Sequence, residues 1–542
     1  MKQTAATAHP TADPGAELTL EQQSTMLAAL ATGLAATAPG AVQRIDTHIS
    51  VVLLHGGHAY KFKKALQTPF LDQSTLARRQ HACAEELRLN GRLAGGLYLG
   101  VVPVTGTPMQ PELDGSGPLL DVAVKMHAFD GAGLWDRLAA RGALGPAQVD
   151  ALAGAVARFH EGAAVADPAG WQGSPPQVRQ MLHGNLAELA ALARGAGMRK
   201  ALRGLQRAEP GSFERLQATL AQRLATGGVR ECHGDLHLGN VVQRDGRVTI
   251  FDGIEFNDDW RWIDVVNEVA FMAMDLHAHG LKPLAHRFVN AYLEQRGDYE
   301  GMRLLPCYTA YRALVRAKVA LLRAAQPGAD AVHETCHARR YLALAGACGQ
   351  PRRPALFITH GASGSGKTTL TQSLLEAAGA VRIRADVERK RMAGLDALAH
   401  SGSGLGAGLY SAAMTAATYT RLLDLAAPVV DAGCHAILDA TFLHRAPRDA
   451  ARRWAAARGL PFVLLDFPAA PELLRQRLRE RAARGGDASE ADLQVLEAQL
   501  RTAEPLQADE LAAVHVVVPS TAANAPALAL AASSCSPCER KK

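Results

Sequence analysis

Nine consecutive residues constrain this chain more than any other feature: Gly361, Ala362, Ser363, Gly364, Ser365, Gly366, Lys367, Thr368 and Thr369. They satisfy GxxxxGK[ST], and the run Phe357-Ile358-Thr359 before them reads as a strand. The pattern is strand, glycine turn, helix. Glycines let successive backbone N–H groups turn inward around a β-phosphate, and the positive end of the following helix adds to the field there. Lys367 is placed to bridge the β- and γ-phosphates, and the Thr368 hydroxyl to supply an oxygen to Mg2+. The expected ligands are ATP and Mg2+, and the motif leaves the acceptor open.

The sequence around this loop alternates strands and helices. Ala355–Thr359, Val381–Arg384, Ala436–Leu438 and Phe462–Phe467 are short apolar runs with helical stretches between them, as in a parallel sheet. Asp439 closes one strand, where its carboxylate reaches the Mg2+–phosphate region. Asp386 closes another, either to orient or deprotonate an acceptor hydroxyl or to cap the next helix. Arg389, Lys390 and Arg391 follow at helical spacing and suit an anionic substrate. Arg477, Arg481 and Arg484 fall at i, i+4 and i+7, on one helical face. That face is either a solvated arginine surface or a lid whose guanidinium groups neutralise charge on a transferred phosphoryl. Gly485-Gly486-Asp487 would end or hinge the helix.

These marks together carry a resemblance. With Ala385-Asp386-Val387-Glu388-Arg389-Lys390, Asp439-Ala440-Thr441 and Asp487-Ala488-Ser489, the segment 355–510 resembles small AAA-type P-loop kinases. That group includes gluconate-type kinases, polynucleotide kinase domains and zeta-toxin-like kinases. The resemblance implies an α/β P-loop NTPase fold and transfer of the ATP γ-phosphate to a hydroxyl. It implies Asp386 as substrate-orienting acid or base, with Lys367, Arg477, Arg481 and Arg484 acting on the moving phosphoryl. Arg389 and Tyr410 would contact substrate, and Gly402–Gly408, Ser411 and Tyr419 would lie in the acceptor region.

A second constellation lies upstream. Cys232-His233-Gly234-Asp235-Leu236-His237-Leu238-Gly239-Asn240 precedes a short hairpin, Val241–Val242 and Val248–Phe251 across Asp245-Gly246, and then Asp252-Gly253-Ile254-Glu255. HxDxxxxN followed about twelve residues later by Asp is the order phosphoryl transfer needs. Asp235 would accept the hydroxyl proton, while Asn240 and Asp252 hold Mg2+. The set resembles the aminoglycoside and choline phosphotransferase family over about 45–320, which implies an α+β protein-kinase-like fold. Within it, Tyr60-Lys61-Phe62-Lys63 matches the strand of the ATP lysine; Lys61 is the better match, and Lys63 points to the same face. Glu86 is the candidate ion-pair partner, with Glu85 competing. Lys125 falls at the hinge after the fifth strand. Asp264 resembles the acid that braces the catalytic loop, or else caps a helix. No glycine-rich clamp precedes Lys61, so the domain is either a kinase or a ligand-sensing pseudokinase. The acceptor region, 148–228, lacks the dense acidic lining a polycationic aminoglycoside would favour.

Composition sets the remaining bounds. In 542 residues, 48% hydrophobic and 20% charged, there is room for two or three soluble domains. A formal charge of +6 is a weak excess over this length and argues against nucleic acid as the main partner. The eight cysteines form no disulfide framework, and Cys535-Ser-Pro-Cys538 is a lone CxxC in a small-residue tail. With no spanning apolar run and no leader pattern, the expected location is cytoplasmic, with no membrane partner. The expected organisation is a disordered 1–17, a phosphotransferase-like domain at 18–348 and a linker at 349–354. A P-loop kinase domain at 355–518 and a flexible tail at 519–542 complete it. The chain reads as a kinase of a small hydroxyl-bearing molecule, of open oligomeric state. The alternatives are a regulatory ATPase with a sensing N-terminal domain, and a polynucleotide or nucleotide-sugar kinase.

Overall fold

The computed structural model describes residues 17–37, 40–68, 71–326, 328–350, 352–403, 407–484 and 487–517. The expected disordered start, the tail with Cys535 and Cys538, the Gly485-Gly486 hinge and the Arg484 side chain lie outside the described residues. The chain packs as two compact units, one of Met1–Arg141 with Glu231–Ile263, the other of Gly142–Arg230 with Asp264–Lys542.

The first unit is built on an antiparallel sheet of β1 (Gln43–Asp46), β2 (Ser50–His55), β3 (His58–Lys63), β4 (Tyr98–Thr107), β5 (Gln110–Leu113) and β6 (Leu119–His127), in the order β1-β2-β3-β6-β4-β5. Gly56 and Gly57, at φ +56° and +77°, make the two-residue turn that closes β2 on β3. Alternation along β2 buries Val51 and Leu53 on one face, where they pack with Phe62, Val104 and Ala123. Met26 and Leu30 of the Leu20–Thr37 helix cover that face. The Leu76–Asn90 helix, capped by Thr75, buries Cys83 and Glu86. Lys125 pairs with Tyr60 inside β6, which runs on to His127; it is a strand residue and not the hinge residue expected. The expected hairpin forms as β7 (Val241–Arg244) and β8 (Arg247–Ile250), with Asp245 and Gly246 at φ +50° and +73°.

The second unit joins a helical bundle to a parallel sheet. Val265–Ala278 is buried on nearly every face and forms the bundle's axis, with Phe271 and Met274 packed among Leu189, Ala313 and Tyr341. The sheet runs β10-β11-β9-β12-β13, with β9 (Leu356–His360), β10 (Val381–Arg384), β11 (Ala436–Asp439), β12 (Phe462–Asp466) and β13 (Val514–Val516) all parallel. Continuous apolar strands fit a sheet covered on both faces, and Leu356, Phe357 and Ile437 are wholly buried. The edge strand β13 was not legible: three residues of modest burial carry almost no periodic signal. Among the described residues no helix is long and apolar enough to cross a membrane.

Candidate functional site

The glycine loop leaves β9 at the carboxyl edge of the sheet, where its neighbours β11 and β12 also end. Gly361, Gly364 and Gly366 take φ of +148°, +85° and +87°. A Cβ at Gly361 would stand 2.9 Å from Ser365 Oγ and 3.0 Å from the Phe467 carbonyl, so the loop needs glycine there for space as well as conformation. Lys367 opens the Lys367–Ala378 helix, and its Nζ donates to the Gly361 and Ala362 carbonyls at 2.8 and 2.9 Å. Burial pulls its pKa below the ordinary ammonium range, with Asp439 and Asp386 offsetting part of that. Thr368 Oγ1 donates to Asp439 Oδ2 at 2.6 Å. A hydroxyl and a carboxylate held this close are hard oxygen donors of the kind Mg2+ takes, so the pair fits the expected cation.

A cavity of about 870 Å3 opens in front of this pair. Asp386, Arg389, Tyr410, Arg477 and Arg481 all line it. Asp386 occupies the first turn of the Ala385–Met392 helix; the cap position belongs to Arg384, so Asp386 is not the N-cap weighed from the sequence. Arg389 Nη1 donates to Asp386 Oδ1 at 2.9 Å, and its guanidinium lies 5.1 Å from the Tyr410 ring centroid. Burial, reinforced by Asp386 and Glu490, pushes the Tyr410 phenol up to about 12, which keeps it a hydrogen-bond donor at neutral pH. Arg477 Nη1 donates to the Gly364 carbonyl at 3.3 Å, and Arg481 Nη2 to the Ala491 carbonyl at 2.6 Å. Tyr419 also lines the cavity, and its hydroxyl accepts from the Phe442 amide at 3.2 Å. Ser411, between the lining residues Tyr410 and Thr415, caps the Ala412–Asp431 helix, its hydroxyl accepting from Met414 N at 3.3 Å. Residues 404–406 of the expected glycine patch lie outside the described residues.

Two cavity residues had no motif to announce them. Arg384, the last residue of β10, donates to Asp487 Oδ1 at 3.0 Å and to Glu294 Oε1 at 2.8 Å. Gln499 Oε1 accepts from the Ser363 amide of the glycine loop at 2.9 Å. Both depend on contacts between residues far apart in sequence, and no local spacing encodes them.

In the first unit the chemistry-bearing residues also converge. Lys61 Nζ donates to Glu86 Oε1 at 2.9 Å and contacts Asp252. Lys63 reaches Glu86 Oε2 at 2.5 Å and also contacts Glu255. Both lysines therefore share Glu86, while Glu85 pairs with Arg88. Burial opposes the charge on Lys61, but Asp252, Glu86 and Glu255 outweigh it and hold the ammonium above its usual range. Burial likewise opposes ionisation of Glu86, yet the two lysines bring it down to about 2. Glu255 is pushed up by burial despite Lys63, with Glu86 as a like-charged neighbour.

Asp252 takes φ +64°, and its amide donates to the Tyr98 hydroxyl at 3.2 Å. Asn240 Nδ2 donates to Asp235 Oδ2 at 3.0 Å, and His237 Nε2 lies 3.4 Å from the same oxygen. With its nitrogen committed to Asp235, Asn240 has its amide oxygen to offer a cation beside Asp252, again a hard donor set. Asp264 belongs to the second unit, where it caps Val265–Ala278 through the Val266 amide and receives Arg223 Nη2 at 2.9 Å.

Comparison with known proteins follows this division of chemistry. A family model described as a phosphotransferase enzyme family matches residues 67–305, and one described as an AAA domain matches 356–506. An uncharacterized protein of Mycobacterium tuberculosis (strain H37Rv) is 31% identical over 444 residues, covering 82% of this chain and 87% of its own. An uncharacterized protein of Mycobacterium bovis matches to the same extent, 31% over 444 residues, with 82% and 87% covered. Among solved structures, a choline/ethanolamine kinase family protein from Mesorhizobium loti aligns over 59% of this chain and 99% of its own, at 15% identity and a TM-score of 0.36. A gluconokinase from Sinorhizobium meliloti 1021 aligns over 34% of this chain and 93% of its own, at 24% identity and a TM-score of 0.22.

Proposed function

The chain belongs to the family, shared with these mycobacterial relatives, in which a phosphotransferase-type domain precedes an AAA-type P-loop kinase domain, and from that premise we propose that it is an ATP-dependent kinase of a small hydroxyl-bearing molecule. The observation that carries this reading is the Thr368–Asp439 pair beside Lys367, facing Asp386 across one cavity. Bound Mg2+ would supply charge neutralisation on the phosphates, held by Thr368 and Asp439. The loop amides and Lys367 bind and orient the triphosphate. Asp386 accepts the acceptor's hydroxyl proton, and Arg389 and Tyr410 hold the acceptor. Arg477 and Arg481 place positive charge where the transferred phosphoryl gathers negative charge, the term that matters most in such a transfer. A cavity of about 870 Å3 is the size of a small-molecule site, which favours this acceptor class over a polynucleotide. ATP use and the six free cysteines among the described residues support a cytoplasmic location.

The first unit is proposed as a second phosphate-handling site, with Lys61 and Glu86 for ATP, Asn240 and Asp252 for Mg2+, and Asp235 as base. The alternative for this unit is a ligand sensor without transfer. The test is a metabolite-library phosphorylation screen with ATP on the full chain, on Asp235→Asn and on Lys367→Ala. Product lost only in Lys367→Ala assigns transfer to the P-loop site and leaves the first unit non-catalytic. Product lost only in Asp235→Asn overturns the assignment. ATP hydrolysis that depends on Lys367 with no phosphorylated product makes the chain a regulatory ATPase.

A further inference from the structure

The Lys282–Arg296 helix lies within the stretch matched by the phosphotransferase family model, yet one of its faces is spent on the P-loop segment. His286, Asn290 and Glu294 stand at i, i+4 and i+8, a single helical stripe, with Arg287 beside them. His286 Nδ1 donates to the Glu376 carbonyl near the end of the P-loop helix at 2.7 Å, and Arg287 Nη1 to Glu376 Oε1 at 2.7 Å. Asn290 Oδ1 accepts from the Arg382 amide of β10 at 2.7 Å. Glu294 accepts from Arg384 through Oε1 at 2.8 Å, while its backbone carbonyl accepts from Arg391 Nη2 at 2.5 Å.

The first three contacts fasten one element to another. Glu294 does more, because its partner faces the cavity. Arg384 lines that cavity two residues before Asp386, and its other guanidinium nitrogen holds Asp487, just beyond the Pro471–Arg484 helix. Asp487 lies 3.8 Å from Arg481 on that helix and accepts from the Ser489 amide at 3.1 Å. The result is a chain of alternating charge, Glu294, Arg384, Asp487, Arg481. It runs from a helix of the phosphotransferase-type segment to the arginine face over the P-loop cavity.

We propose that Glu294 is a positioning residue of the P-loop site: it fixes Arg384, and through Arg384 and Asp487 it sets the resting place of the Pro471–Arg484 helix and Arg481. The inference rests on the reading of that cavity as the phosphoryl-transfer site. A guanidinium holding carboxylates on two sides has its plane set by both, and loss of either lets it rotate toward the other. Without Glu294, Arg384 follows Asp487, and the segment after the helix gains freedom. The glycine loop is held by its own contacts, Lys367 to the Gly361 and Ala362 carbonyls and Gln499 to the Ser363 amide, none of which runs through Glu294, so it keeps its nucleotide. The expected signature is therefore a fall in turnover at nearly constant nucleotide affinity.

The experiment uses the full chain with ATP and Mg2+ and compares Glu294→Gln, Glu294→Asp, Asp487→Asn and the Glu294→Gln/Asp487→Asn double variant. ATP turnover, ADP affinity and hydrogen exchange across 471–493 are measured for each. Glu294→Gln should lower kcat about tenfold with KM for ATP within about twofold, and should speed exchange across 487–493. Glu294→Asp should recover most of both. The double variant should be no worse than the worse single, because both changes break one chain. Arg287→Gln, which loses a fastening contact outside the relay, should lower Tm and leave kcat and exchange at 487–493 unchanged. If Glu294→Gln behaves like Arg287→Gln, or if the two relay changes add, the proposal is overturned. Lys367→Ala separates the two levels. If ATP turnover survives it in an Asp235→Asn background, which silences the first unit, the phosphoryl-transfer reading of the cavity falls, and the exchange data with ADP then decide the relay alone.

Discussion

Replacing Lys63 by Met should unfold the first unit far more readily than replacing Lys61, although Lys61 is the better match to an ATP lysine. The Lys63 side chain is 1% exposed and its partners Glu86 and Glu255 are 0% and 3% exposed, so the three charges are all out of water. Together with Lys61 they balance, two cations against two carboxylates. Removing Lys63 leaves Glu255 without its ion partner, and breaking a buried pair in this way costs about 3–5 kcal/mol. Lys61 sits nearer solvent, at 11%, and faces Asp252, which is 42% exposed. Its loss leaves Glu86 paired with Lys63 and should cost about 1.5–3 kcal/mol, the worth of a charged hydrogen bond.

The pH dependence distinguishes this account from simple loss of packing. Without Lys63 the Glu255 carboxyl, already pushed up by burial, rises further, so the folded variant holds that proton more tightly than the unfolded chain does. A raised folded pKa contributes stability below the unfolded value that is lost as pH rises through the folded one. The penalty of Lys63→Met should therefore shrink as pH falls from about 7 toward the ordinary carboxylate range. In the wild type the sign for Glu86 is opposite. Its pKa, lowered from 4.5 to about 2, corresponds to about 3 kcal/mol that is present above 4.5 and lost as pH falls toward 2. Hydrogen exchange at the amides of β2 and β3, measured between pH 5 and pH 8, reads both variants. Lys63→Met protected as well as the wild type across that range would refute the buried-charge argument.

Asp439→Asn or Thr368→Val should reduce the Mg2+-dependent part of nucleotide affinity by at least about tenfold, read by titrating ADP with and without Mg2+. Asp386→Asn should lower kcat for phosphorylated product by about 10^2-fold or more while ADP affinity stays within about twofold, which separates a proton acceptor from a nucleotide contact. Burial holds His286 down to about 4 from 6.5, so the unfolded chain takes this proton first as pH falls. The His286 contribution, up to about 3 kcal/mol, is present above 6.5 and lost toward 4, and His286→Asn should flatten the Tm-against-pH curve in that window. Gly379→Ala should lower Tm at every pH, because Gly379 sits at φ +70° and an added Cβ would meet His286 Nε2 at 2.8 Å.

What could be read in advance was what local spacing encodes. The strand–glycine–helix order at Gly361–Thr368, the Gly56-Gly57 turn that brings Lys61 and Lys63 to one face, and the Asp245-Gly246 hairpin each lie within a dozen residues. Period and turn chemistry announce such features. Partner choice was harder. Lys61 and Lys63 competed for one role, as did Glu85 and Glu86, because neighbouring residues of like chemistry differ only in which way the backbone turns them. The structure gives both lysines to Glu86 and turns Glu85 to Arg88. Asp386 illustrates a third case: a carboxylate at a strand–helix junction reads as a cap until helix phase is known, and two residues of phase move it into the first turn.

The Glu294–Arg384–Asp487 chain was invisible for a different reason. Its links span 90 and 103 residues, and each member is an ordinary charged residue on an ordinary helix, strand or loop. Long-range charge pairing carries no period, so only the packing of the Lys282–Arg296 helix beside β10 brings the three together. The consequence concerns what the P-loop motif can be asked to do alone. A segment beginning at 355 keeps every residue of the glycine loop, the Thr368–Asp439 pair and the arginine face. It loses the Asn290 acceptor for the Arg382 amide, the Arg287 and His286 contacts to Glu376, and the carboxylate that orients Arg384. Arg384 is largely buried, and a buried guanidinium deprived of one of its two carboxylates is costly to keep in place. If, as proposed, nucleotide binding rests on the loop and turnover on the arginines held over the cavity, the two should separate in such a segment.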